Sequence, residues 1–174
     1  MATTFITDNR LKNIKMLILD IDGVLTDGRI YILPDGEEVK VFNTLDGHGL
    51  KMLQRAGVEI AVISGRASKA AAHRMKQLGI THYYAGVSNK IASFRDLLKK
   101  TNIQPEECAY MGDDLPDLPM INEVGFFAAP PNACEAVLHS AHFITKKSGG
   151  EGAVREICDF ILLAQNAQGE DFLA

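Results

Sequence analysis

The sequence predicts an α/β protein built on a doubly wound parallel sheet, and three observations carry that prediction. Short unbroken apolar runs at residues 16–19, 60–63 and 108–111 have the length of strands buried on both faces. Segments with the apolar spacing of amphipathic helices lie between them. Each run stops at a polar cluster: Asp20-Ile21-Asp22-Gly23, Ser64-Gly65-Arg66 and Gly112-Asp113-Asp114. Strands alternating with helices make a parallel sheet covered on both faces, and such a sheet binds its ligand at the carboxyl ends of the strands.

The elements follow in order. Met16-Leu17-Ile18-Leu19, between Lys15 and Asp20, is the first strand. Residues 29–42 read as a β-hairpin: Ile30 to Leu33 and Glu38 to Phe42 flank the turn Pro34-Asp35-Gly36-Glu37, and the second arm alternates charged and apolar residues. The pattern turns helical after Gly49, over 50–56, with Gly57 as the stop. Residues 60–63 form the second core strand, followed by a helix over 69–78 closed by Gly79 and a short strand at 81–85. Ile91, Phe94, Leu97 and Leu98 mark a helix over 91–100. After the strand at 108–111, Pro116 and Pro119 keep the next helix short or irregular. A strand at 125–129 and a helix at 132–138 come next. The segment 148–152 is too glycine-rich to be regular, and it precedes a terminal helix whose apolar face is Val154, Ile157, Cys158, Ile161 and Leu162.

Length and composition narrow the class. A chain of 174 residues suits one domain, 1–174, with a real core. Its 47% hydrophobic and 23% charged residues exclude a disordered chain. A balance of 18 basic and 22 acidic side chains excludes a general nucleic-acid binder. Cys108, Cys134 and Cys158 are widely spaced and form no CxxC pair, so neither a zinc knuckle nor a redox dithiol is expected. No apolar run approaches the roughly 18 residues of a membrane span, and residues 1–10 lack the apolar core of a secretion signal. The expectation is a cytoplasmic protein with neither a nucleic-acid nor a membrane partner.

The strand ends carry the chemistry. Asp20, Asp22, Asp113 and Asp114 converge at one edge of the predicted sheet, joined by Ser64 and by Lys90 from the loop after Gly86. Two carboxylates about 4 Å apart repel by about 4 kcal/mol at an effective dielectric of 20. A hard divalent cation removes that penalty, and oxygen ligands without His or Cys point to Mg²⁺ rather than Zn²⁺. Mg²⁺, Lys and Ser together describe a phosphate site. One carboxylate of the first pair can act as nucleophile and form an aspartyl-phosphate. The other can protonate the leaving alkoxide and then activate water. The residues alone do not choose between Asp20 and Asp22 for these roles. Taken singly, each cluster has an ordinary structural reading: a solvated acidic loop, a helix cap at Ser64, a surface charge at Lys90.

Asp20-Ile21-Asp22-Gly23-Val24-Leu25-Thr26-Asp27, Ser64-Gly65-Arg66, Lys90 and Gly112-Asp113-Asp114-Leu115-Pro116-Asp117 resemble the four motifs of the haloacid dehalogenase-like phosphatases, over nearly the whole chain. Within that superfamily, Phe42-Asn43-Thr44-Leu45-Asp46-Gly47, Ser88-Asn89-Lys90 and residues 149–156 are similar to the phosphatases of 3-deoxy-D-manno-octulosonate 8-phosphate, which serve lipopolysaccharide precursor synthesis. The resemblance implies a Rossmann-like fold without a large cap domain and a Mg²⁺-dependent phosphoric monoester hydrolase. It implies Asp20 as nucleophile and metal ligand, and Asp22 as general acid/base that offers its backbone carbonyl to the metal. Asp113 becomes the third ligand. Ser64 and Lys90 hold the phosphoryl group, and Asp114 or Asp117 orients Lys90 or metal-bound water.

Arg66 is the candidate for a forked pair with the substrate carboxylate. Gly65, Arg74 and Asp46 complete the expected substrate contacts, and Arg155 is a weaker candidate of the same kind. The resemblance further implies a homotetramer joined through the hairpins, with sites near subunit interfaces and the 149–152 segment approaching a neighbour's site. One departure is Leu45, where many members of this group have an arginine. It keeps open a nine-carbon keto acid phosphate or another sugar phosphate as substrate. Two other classes remain as alternatives. A phosphorylatable receiver domain is disfavoured because the second core strand ends in Ser64 rather than Asp. A non-catalytic binding module is disfavoured by the intact Asp20, Asp22, Ser64, Lys90 and Asp113.

Overall fold

The computed structural model describes residues 8–165. The expectation for the first ten residues therefore lies mostly outside the described chain. A turn of 3₁₀ helix at Asn9–Asn13 leads into β1 (Met16–Leu19). The hairpin strands β2 (Tyr31–Ile32) and β3 (Glu38–Val39) follow, then α1 (Thr44–Arg55), β4 (Glu59–Ser64), α2 (Lys69–Leu78), β5 (His82–Ala85) and α3 (Lys90–Thr101). The second half runs β6 (Cys108–Met111), a 3₁₀ helix Leu115–Asn122, β7 (Phe126–Ala129), α4 (Glu135–Ser140), β8 (Phe143–Ile144) and α5 (Ala153–Ala164).

Six strands form one sheet in the order β5-β4-β1-β6-β7-β8, and every pairing in it is parallel. β1 sits at the centre because all four of its residues are buried, which a central strand allows and an edge strand does not. Its side chains alternate between two apolar layers. Leu17 and Leu19 pack with Leu50, Leu53, Met75 and Ile157 on one face, and Met16 and Ile18 pack with Phe94, Leu97, Phe127 and Val137 on the other. The order places the ends of β1, β4 and β6 side by side, so Asp20, Ser64 and Asp113 come from adjacent strands.

Several boundaries differ from the sequence expectation. α1 begins at Thr44, not at 50, because Asn43 caps it by accepting from the Leu45 amide at 2.8 Å. Gly47 and Gly49, which precede the expected helix, lie buried inside α1. A side chain at Gly49 would meet Arg155 and Cys158 of α5, and one at Gly47 would meet Arg74 and Leu78 of α2, so the two glycines let α1 press closely onto both helices. α4 starts later than expected, since the chain first turns at Pro130 with the Ala133 amide donating to its carbonyl at 3.0 Å. β8 is a two-residue edge strand with no sequence signal.

The hairpin is present but its strands pair over two residues each, around a turn closed by the Leu33 amide on the Glu37 carbonyl. Its apolar side chains face outward: Ile32 is 69% and Val41 60% exposed. The glycine-rich segment is not a free linker. The Gly150 amide donates to the Val24 carbonyl at 3.0 Å, and Asn132 bridges the Gly149 amide (2.7 Å) to the Gly23 carbonyl (2.9 Å). A Cβ at Gly149 would overlap the Gly23 carbonyl, so glycine is required for this contact. The segment buttresses the loop that follows Asp20.

Candidate active site

Asp20 follows β1 directly. Its amide donates to the Met111 carbonyl at 3.0 Å, which ties it to β6. One carboxylate oxygen accepts from the Ile21 amide at 2.6 Å, and the other lies 2.9 Å from Lys90 Nζ. Gly23, at φ +84°, turns the loop beneath it, and a Cβ there would overlap the Asp113 carboxylate. Lys90 is the first residue of α3, after the cap Asn89, whose side chain accepts from the Ala92 amide at 3.1 Å.

Asp117 is fully buried in the 3₁₀ helix and organises the rest. Its Oδ1 accepts from Lys90 Nζ at 2.6 Å and from the Tyr110 hydroxyl at 2.5 Å. Its Oδ2 accepts from the amides of Asp113 (3.1 Å) and Asp114 (3.2 Å). Of the two residues expected to orient Lys90, the structure therefore brings Asp117 to it. Asp114 is exposed at the lip.

The carboxylates are crowded. Asp20, Asp113 and Asp117 each present an oxygen within 4.8 Å of the others. Burial, and then the charge of Asp117, pushes the Asp20 carboxyl up to about 6 against the pull of Lys90. Burial and the charges of Asp20, Asp117 and Asp114 push Asp113 up to about 8. Burial works against the charge on Lys90, but Asp20 and Asp117 outweigh it and hold the ammonium above its ordinary value. These raised carboxyls mark a place where negative charge outruns its compensation. Hard oxygen donors in that state fit a small divalent cation such as Mg²⁺. Asp117 has both oxygens engaged twice, so Asp20 and Asp113 retain the lone pairs to bind one.

Ser64 ends β4, and its hydroxyl lies between the amide and the carbonyl of Arg66, at 3.3 and 3.2 Å. Asp20, Asp22, Ser64, Gly65, Lys90 and Asp113 all line one cavity of about 280 Å³, and Arg66 stands at its rim. A larger hollow of 830 Å³ lies at the opposite end of the strands, where Lys15 and Glu107 pair at 2.6 Å and, among the described residues, no cluster of carboxylates converges.

Two expected substrate contacts are not brought to the cavity. Asp46 is buried in α1, and its carboxylate accepts from the Arg155 amide at 2.8 Å. It caps α5, whose own cap residue is Gly152 and has no side chain to do so. Arg74 lies against Gly47 on α2 and contacts Gln77 at 3.5 Å. The Arg155 side chain, the weaker candidate, pairs with Asp159 at 2.8 Å. One residue not foreseen from the sequence does reach the site: Lys40, beside β3, is ion-paired with Asp22.

The comparisons with known proteins agree with this geometry. A family model of the haloacid dehalogenase-like hydrolases matches residues 29–125. The chain belongs to that family. Among its relatives is the 3-deoxy-D-manno-octulosonate 8-phosphate phosphatase KdsC of Escherichia coli (strain K12), 47% identical over 92% of this chain and 86% of the relative. The Yersinia pestis crystal structure of a phosphatase of the same name superposes with a TM-score of 0.91 at 44% identity, covering 95% of this chain and 92% of that one. The Moraxella catarrhalis phosphatase, solved with a magnesium ion, a phosphate ion and a KDO molecule, superposes at 0.88 with 44% identity and covers 90% of both chains.

Proposed function

We propose that this chain hydrolyses 3-deoxy-D-manno-octulosonate 8-phosphate to the free sugar acid and phosphate, with Mg²⁺ as cofactor and a phosphorylated aspartate as intermediate. The observation that carries the reading is Asp20: a carboxylate at the centre of the strand ends, held by the Ile21 amide and Lys90 and facing Asp113. Asp20 and Asp113, with the Asp22 backbone carbonyl, hold the metal, which when bound neutralises the phosphoryl oxygens during transfer. Lys90 spends two of its three protons on Asp20 and Asp117 and keeps the third for a phosphoryl oxygen, alongside the Ser64 hydroxyl.

Asp20 attacks phosphorus as the bond to the sugar oxygen breaks, and Asp22 gives that oxygen its proton. Asp22 then takes a proton from the water that attacks the phosphorylated Asp20, which releases phosphate and restores both carboxyls. The cavity is small for the whole substrate, so the sugar extends past the rim toward Arg66. An adjoining cavity of about 710 Å³ shares Gly65, Lys90 and Pro116 with the first and offers it room.

The outward apolar face of the hairpin supports assembly into a homotetramer with sites near subunit interfaces. Among the described residues no helix is long and apolar enough to cross a membrane, and the proposed place of action is the cytoplasm. The test of the function is phosphate release from a panel of sugar and keto acid phosphates, with Mg²⁺ and with chelator. A Mg²⁺-dependent preference for the eight-carbon substrate is expected. A preference for a nine-carbon keto acid phosphate would keep the chemistry and replace the substrate. No turnover of any phosphate would overturn the reading.

A further inference from the structure

In an amphipathic strand lying on a protein, the apolar alternate residues face inward. The second arm of the hairpin inverts this order. Val39 and Val41 turn to solvent, while Glu38 and Lys40 turn toward Asp22 and Arg66 on the loops after β1 and β4. The Lys40 side chain is only 3% exposed. Its ammonium pairs with the Asp22 carboxylate and lies 2.8 Å from Glu38 Oε1, and Glu38 Oε2 lies 2.5 Å from Arg66. Removing an ammonium from water costs several kcal/mol unless carboxylates compensate it. A protruding hairpin has no packing reason to bury a lysine, so these two carboxylates account for its position.

The backbone around Asp22 is already fixed, because the amides of Val24, Leu25 and Thr26 all donate to the Ile21 carbonyl. What remains free is the Asp22 side chain, and Lys40 is its carboxylate's partner among the described residues. We propose that Lys40, anchored by Glu38, is a positioning residue for leaving-group protonation: it fixes where the Asp22 carboxyl points at the mouth of the cavity. This rests on the reading of Asp22 as the acid/base. As the Asp22 proton passes to the departing sugar oxygen, the negative charge left on the carboxyl forms beside an ammonium already in place, with no reorganisation at that moment. Lys40 keeps its own protons throughout. Without Lys40, Asp22 and Glu38 would be left as facing carboxylates, and Asp22 would turn away.

The test compares kcat/KM on two phosphate esters, because that constant reports the first phosphoryl transfer. An alkyl phosphate, the best sugar phosphate substrate found, needs a proton on its leaving oxygen. p-Nitrophenyl phosphate leaves as a stable anion and does not. Lys40→Met is expected to lose at least about tenfold more on the alkyl ester than on the aryl ester, within the range a general acid supplies, and Lys40→Arg is expected to recover part of the difference. Equal losses on both esters, or no loss, would overturn the proposal, since a merely structural role does not distinguish leaving groups. Should Lys40→Met fail to fold, Glu38→Gln removes the anchor and carries the same expectation at smaller size. Asp22→Asn is measured in parallel. If it splits the two esters and the Lys40 variants do not, the Lys40 proposal alone fails; if it lowers both equally, the acid/base reading of Asp22 fails and takes the proposal with it.

Discussion

Replacing Asp113 with asparagine should make the metal-free protein more stable while removing its response to Mg²⁺. The Asp113 carboxyl is held at about 8, against 3.8 when unperturbed, first by burial and then by its acidic neighbours. Between those values the folded chain binds more proton than the unfolded chain. Stability contributed by this group is therefore lost as pH rises from about 4 toward 8. At neutral pH the span crossed, from 3.8 to about 7, is about three units, each worth about 1.4 kcal/mol, which sets a ceiling near 4 kcal/mol. The carboxyl is only half-buried, and solvent screening brings the expectation to about 2 kcal/mol. Urea denaturation in chelator should show Asp113→Asn ahead of the native chain by that amount near pH 7 and level with it near pH 4. Mg²⁺ at about 100 times its dissociation constant should raise the native chain by about 2.7 kcal/mol and the variant by far less. An asparagine variant no more stable than the native chain in chelator at pH 7 would refute the claim that uncompensated charge defines this site.

Other perturbations separate roles from packing. Asp20→Asn should lower Mg²⁺-dependent phosphate release by more than about a thousandfold, and retained turnover would exclude the phosphorylated intermediate. Asp46→Ala should cost about 1–2 kcal/mol in denaturant titrations through loss of the α5 cap, with KM unmoved; a KM effect without a stability effect would return Asp46 to the substrate. Ile32→Asp, at a position 69% exposed on the hairpin, should shift the proposed homotetramer to smaller species in sedimentation, and a tetramer that survives the change would move the interface elsewhere.

The parts of the site that the sequence announces share one physical form. Asp20, Ser64 and Asp113 stand where an unbroken apolar run stops, and such a run has few alternatives to a buried central strand. Lys90 was legible through the same logic, since it opens a helix after a short loop. What failed was residues whose role depends on which face an element turns. Asp46 sits in a segment that resembles a site motif, yet α1 starts early enough to bury it against the start of α5, where the Arg155 amide donates to it and Gly49 lets the two helices approach. Lys40 alternates with valines as it would on any exposed strand. Nothing local says that the charged side faces inward, because that is decided by Asp22, eighteen residues away.

Counting charge around the cavity explains why these pieces belong together. Asp22 with Lys40, and Glu38 with Arg66, are pairs that cancel. Apart from Asp114, which is exposed to solvent at the lip, Asp20, Asp113 and Asp117 face a single ammonium, Lys90, so two negative charges remain in that cluster when all are ionised. One divalent cation balances that excess, and no monovalent ion does. On the proposed function, a phosphate ester arriving at the balanced site would bring new negative charge, for which Lys90 and Ser64 are the proposed partners. A carboxylate on the same substrate finds Arg66 already held by Glu38, so binding it requires an exchange of one carboxylate for another rather than the filling of an open site. That exchange frees the Glu38 oxygen that faced Arg66 without disturbing the oxygen beside Lys40, and the proton-transfer side of the site can keep its geometry while the recognition side changes partners.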